Sequence, residues 1–133
     1  MKRLHQLRTR LERAQKALAT LEELLELPAP SAVERDAAIQ RFEYTFETFW
    51  KAARRYLLEI EGLEAGSPKQ VMRGLNQSGI ADDTETIQAM DMVDDRNLTV
   101  HTYDESTANE VFQRIRLYAP LMRTILARME ERA

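Results

Sequence analysis

Cysteine is absent from the 133 residues, which excludes disulfides, thiolate zinc sites and cysteine nucleophiles together. Histidine is scarce: His5 and His101 are the only two, too few for a histidine-rich metal centre. Glycine and proline number four each, a poor turn supply for a many-stranded sheet. Apolar runs never exceed a few residues, and the charged first residues lack the apolar core of an export signal. A cytoplasmic protein with no membrane segment is therefore expected. No cofactor or metal is expected.

Against these shortages stand 44% hydrophobic and 31% charged residues, the balance of a globular domain rather than a disordered chain. Alanine, leucine, glutamate, arginine and lysine dominate, which points to an all-α protein. The length suits one domain spanning residues 1–133, able to bury about two thirds of its unfolded surface. The net charge of −3 is unevenly spread. Lys2, Arg3, Arg8, Arg10, Arg13 and Lys16 face only Glu12 in the first sixteen residues. Asp82, Asp83, Glu85, Asp91, Asp94 and Asp95 lie in a stretch without a basic residue. Such polarity suggests partners or simple solvation.

Hydrophobic spacing predicts an up-and-down bundle of four long helices and one short one. Leu4, Leu7, Leu11, Ala14, Leu18, Leu21 and Leu25 form one narrow stripe, a globular face or a coiled-coil seam, which Pro28 and Pro30 end. Ser31 and Glu34 form a capping box for a second helix running to about Ile60. Its inner stripe is Ile39, Phe42, Phe46, Phe49, Ala53, Tyr56 and Ile60, with Tyr44 and Trp50 also read as core. Ser67-Pro68 starts a short third helix ending near Ser78-Gly79. Asp82 or Asp83 caps a fourth, whose inward residues read as Ile87, Met90 and Val93 with Ala89 beside them. It frays at Arg96-Asn97, and Leu98–Tyr103 reads as irregular chain. Asp104 caps a fifth helix, expected to kink near Arg116 because of Pro120.

The residues with chemical potential cluster at that fourth helix end. Asp91, Asp94 and Asp95 have spacings that place them on neighbouring faces of one turn, as a magnesium site needs, although solvated acids are commoner. Asp94 or Asp95 orienting Arg96 is the better reading, because a carboxylate-held guanidinium is pre-organised for phosphate. Arg96, Asn97, His101 and Tyr103 then gather where the helix gives way to a turn.

Arg96-Asn97, three residues, then His101 resembles the R-x4-6-H motif of the HEPN superfamily of all-helical domains. The string from Arg96 to Glu105 is similar to the branch of nucleotidyltransferase substrate-binding proteins. Residues 36–47 together with Trp50-Lys51 match that branch's second-helix signature, and Ser67-Pro68 fits it too. Val100 and Ile87 depart from it, replacing a small hydroxyl residue and an aromatic. The resemblance implies a metal-independent ribonuclease toxin paired with a minimal nucleotidyltransferase. In the R-x4-H-x-Y variant the partner neutralises the toxin by adding AMP to the tyrosine, here Tyr103.

Chemistry is compatible with such a role. A histidine near its ordinary pKa can take a proton from an RNA 2′-hydroxyl, and arginine steadies the phosphate charge that develops. Arg96 and His101 are thus the expected catalytic pair, with Asn97, Asp94 and Asp95 in support. One histidine cannot easily be both base and acid, and together with the leucine seam this points to a homodimer. The alternative is a non-catalytic adaptor that presents substrate to the nucleotidyltransferase.

Overall fold

Pro28 and Pro30 part the first helix from the second, and each later break falls at a capping residue or a glycine. A computed structural model describes residues 2–133, with side chains from His5 onward. The elements are α1 (Lys2–Leu25), α2 (Ala32–Tyr56), α3 (Pro68–Gln77), α4 (Asp83–Leu98) and α5 (Glu105–Arg132). A π-helical turn (Leu57–Glu61) extends α2 and a 3-10 turn (Thr99–His101) extends α4. No strand occurs among the described residues, and none of their helices is long and apolar enough to cross a membrane.

The long helices α1, α2 and α5 pack on one another, while α3 and α4 close the remaining side. Leu7, Leu11, Ala14, Leu18 and Leu21 are buried, and Leu25 is partly so; Leu4 lies outside the described side chains. The stripe is therefore filled by α2 and α5 of the same chain, not left as a seam for a second copy. Each leucine so buried contributes about 1.5–3 kcal/mol. Phe42 stands at the centre, with ring centroids 6.2 Å from Phe46 and 6.0 Å from Tyr118. Tyr44 departs from the expected core: it is exposed, and its hydroxyl meets Thr20 Oγ1 at 2.9 Å.

Caps follow the local chemistry. Ser31 and Glu34 make the reciprocal capping box, and Ser67 with Pro68 opens α3. Gly62 ends the π turn and Gly79 follows α3, both with positive φ. Gly74 lets α3 lie directly on the π turn: a Cβ there would sit 2.6 Å from Leu57 Cδ1. Asp104 caps α5 by accepting from the Thr107 N–H at 3.0 Å. Pro120 lies inside α5, which runs on unbroken past it.

On α4 the inward face is rotated from the expected one. Ala89, Met92, Val93 and Asp95 are buried, whereas Ile87 is 66% exposed. Asp95 and Thr99 occupy core positions, and a reading based on apolar spacing counts such residues as surface. The helix also continues to Leu98 and tightens into the 3-10 turn, where irregular chain was expected.

Long cationic side chains tie the ends together. Arg116 Nη1 donates to the Leu25 carbonyl at 3.1 Å. Near the end of α5, Arg128 Nη1 donates to the Ile80 carbonyl at 2.8 Å, and Arg132 donates to the carbonyls of Ser78 and Gly79 at 3.0 and 3.3 Å. Glu85, in a capping box with Asp82, also receives Arg128 Nη1 at 2.7 Å. The Arg128 hydrogen bond, followed by the Asp82 N–H, holds its carboxyl below the ordinary value. A depressed folded-state pKa gives stability that is present above the unfolded value and lost as pH falls through the folded one. Glu85→Gln is thus expected to cost roughly 1 kcal/mol at pH 7, allowing for the partly exposed Arg128. Urea midpoints at pH 3 should show that gap narrowed; an unchanged gap would remove the ionic contribution.

Candidate functional site

The apolar stripe of α2 turns Phe46 and Phe49 inward and leaves Glu47, Trp50 and Lys51 on the adjoining face. There α2, the start of α3 and the end of α4 enclose a groove of about 420 Å³. Its walls include Glu47, Trp50, Pro68, Lys69, Arg96 and Asn97. Three segments far apart in sequence, each singled out by the family resemblance, thus meet at one place.

The polar groups in this groove hold each other. Trp50 Nε1 donates to Glu47 Oε2 at 3.3 Å, and Lys51 Nζ lies 3.2 Å from Glu47 Oε1. Lys69 Nζ pairs with Asp94 Oδ1 at 2.8 Å, linking α3 to α4. Arg96 Nη1 donates to Thr99 Oγ1 at 3.1 Å and stands 3.7 Å from Glu43 Oε2. Its Nε is buried without a hydrogen-bond partner. The groove therefore offers an indole edge, a carboxamide and two cations.

Neither Asp94 nor Asp95 orients Arg96; Glu43 and Thr99 do. Asp94 faces outward to Lys69. Asp95 turns inward, where Arg114 Nε and Nη2 donate to its two oxygens at 2.6 and 3.0 Å and the Tyr118 hydroxyl makes a further short bond. Burial, reinforced by the Asp95 carboxylate, pushes the Tyr118 hydroxyl pKa well up, so it stays a donor. Asp91 is exposed, and the three aspartates do not converge: no metal-sized group of acids and histidines occurs among the described residues.

Arg96 and His101 are not brought together by any hydrogen bond. Arg96 reaches toward α2, while His101 is exposed on the 3-10 turn. The His101 ring stands edge-on to Tyr103, centroids 6.0 Å apart. Tyr103 is 84% and Val100 66% exposed, so this turn presents apolar surface to solvent. Glu43 and Thr99 fell within the quoted family strings but were given no role in the site, and Lys69 was not singled out at all. Lys69 alone carried a signal, as the lone cation beside the Ser67-Pro68 cap with an acidic helix to meet.

The family model described as "nucleotidyltransferase substrate binding protein like" matches residues 9–131. A crystal structure of a protein from Thermus thermophilus is 59% identical, with a TM-score of 0.85, covering 87% of this chain and 98% of its own. A protein from Haemophilus influenzae is 24% identical, with a TM-score of 0.76 and coverage of 90% and 98%. That structure is described as revealing the fold of a substrate-binding domain of a nucleotidyltransferase, and here the likeness is one of fold. A search of curated proteins gives no match. The family description overturns the expected ribonuclease toxin neutralised by its partner, and favours the alternative of a substrate-binding adaptor. The leucine stripe is filled within the chain and so is not itself a ground for the expected homodimer. The match across residues 9–131 places the chain in the family of nucleotidyltransferase substrate-binding-like proteins.

Proposed function

We propose that this chain is the non-catalytic, substrate-binding member of a two-protein nucleotidyltransferase, with the Arg96 groove as its substrate site. The observation that carries this reading is the convergence of Trp50, Lys69, Arg96 and Asn97 on one groove. A concave, largely apolar pocket with a few convergent polar groups is the usual make-up of a small-molecule site. In it Arg96 and Asn97 hold the acceptor substrate. Asp94 positions Lys69, and Asp95 fixes α4 from inside.

His101 and Tyr103 take a different role, as contact residues for a minimal nucleotidyltransferase. Their exposed turn supplies in Tyr103 an aromatic anchor of the kind that dominates interfaces, with Val100 as apolar surface beside it. The spacing of Arg96, His101 and Tyr103 also favours kinship with HEPN domains. RNA has no special place in this reading.

The test is nucleotidyl transfer by a minimal nucleotidyltransferase of the same organism, with labelled nucleoside triphosphates and a small-molecule extract as acceptor. Label should enter a product only when both proteins are present. Equal transfer without this chain would overturn the proposal.

A further inference from the structure

A second cavity, of about 560 Å³, lies between α1, the end of α2 and residues 64–66. It adjoins the Arg96 groove, since Trp50 precedes Lys51 and Gly66 precedes Ser67 along their shared walls. Four cations line it, Arg10 from α1 and Lys51, Arg54 and Arg55 from α2, against one lining carboxylate, Glu64. The concentration stands out in a chain whose net charge is −3.

Neighbouring groups neutralise only half of these cations. Lys51 lies 3.2 Å from Glu47, and Arg55 lies 3.6 Å from Glu59 and donates to Gln6. Among the described residues no carboxylate pairs with Arg10 or with Arg54, whose guanidinium sits 5.3 Å over the Trp50 ring. Helix stability explains Arg54 and Arg55, because cations at a helix C-terminus are favoured. It does not account for Arg10, which lies more than two turns into α1, beyond the reach of either end of the macrodipole. Two cations without a carboxylate partner, set beside two paired ones around one cavity, leave a positive potential that a bound anion relieves.

We infer that this cavity is an anion site for a compact oligophosphate, such as inorganic triphosphate or the phosphate chain of a nucleotide. The shape of the charge selects this class. A nucleic-acid strand is tracked by cations spread along its backbone, whereas these four line one volume. Arginine forks from two helices can grip adjacent phosphate groups, with Lys51 as a point charge beside them. The inference rests on this cavity alone and does not depend on the substrate-binding role of the Arg96 groove.

Trp50 is the chain's only tryptophan, and Arg54 over its ring makes it a reporter. Titration of the full chain with inorganic tripolyphosphate at constant ionic strength should change Trp50 fluorescence saturably, with calorimetry giving the same dissociation constant. Arg10→Gln, which leaves the Arg54 guanidinium over Trp50, should weaken binding at least ten-fold while leaving the helical circular dichroism intact. Lys16→Gln, an exposed charge on the same helix outside the cavity, should bind as the wild type does. ATP should compete with tripolyphosphate if the ligand is a nucleotide, and fail to bind tightly if the site takes inorganic chains only; either supports the site. The inference is overturned if calorimetry detects no saturable binding, if sulfate at equal ionic strength reproduces the curve, or if Arg10→Gln and Lys16→Gln behave alike. Tighter binding of single-stranded RNA, compared per phosphate, would also overturn it in favour of a nucleic-acid surface.

Discussion

Asp95→Ala is expected to lower the unfolding free energy by about 3 kcal/mol, whereas Asp94→Ala one residue earlier should change it by less than about 0.5 kcal/mol. The two side chains are chemically identical and differ only in what they face. Asp95 is buried and accepts from Arg114 twice and from Tyr118 once. Truncating it strands the Tyr118 hydroxyl inside the bundle and removes the fixed partner of Arg114. The exposed part of Arg114 can recruit water, which keeps the loss at the lower end of the range for a broken buried pair. Asp94 is largely exposed, and its pairing with Lys69 is a surface contact worth little in high dielectric. Parallel urea denaturation of both variants checks this. Equal losses would show that α4 is not anchored through Asp95.

Arg96→Ala should raise the KM for the acceptor substrate of the two-protein transferase on the order of 30-fold and leave kcat nearly unchanged. In the groove, a guanidinium held by Thr99 and Glu43 presents a fixed donor set to substrate. A charged hydrogen bond of that kind is worth about 1.5–3 kcal/mol. A group that binds ground state and transition state alike affects KM, whereas one that acts in the chemical step lowers kcat. Arg96→Lys keeps the charge but loses the fork, so it should recover only part of the loss. Unchanged circular dichroism excludes collapse of the α4 end as the cause. A fall in kcat at constant KM would return Arg96 to a catalytic role.

The helices and their caps were legible because each signal is local. Ser31 with Glu34, Ser67 with Pro68, and Asp104 each declare a helix start within four residues, and the α2 stripe from Ile39 to Tyr56 keeps one period throughout. The face of α4 was not legible, since Asp95 and Thr99 are core residues whose burial depends on Arg114 and on the turn geometry, both outside any local window. The same limit governed the site. Adjacency in sequence suggested that Asp94 or Asp95 holds Arg96, yet on a helix consecutive residues point in different directions, and the residue that meets Arg96 is Glu43 on α2. The four cations of the second cavity come from two helices and carried no sequence signature beyond the basic character of α1.

The arginines near the end of α5 give the fold a latch. Arg128 and Arg132 hold the carbonyls of Ser78, Gly79 and Ile80, so the connector between α3 and α4 is fastened by the far end of the chain. Its amides at Ile80 and Ala81 already bond back to Leu75 at 2.9 and 3.1 Å. For this connector to open, the Arg128 and Arg132 side chains must let go of its carbonyls, which couples two segments about fifty residues apart. Fraying of the C-terminal turn, ordinarily a private event of a helix end, here takes with it the Arg132 bonds that hold the connector leading into the helix that carries Arg96.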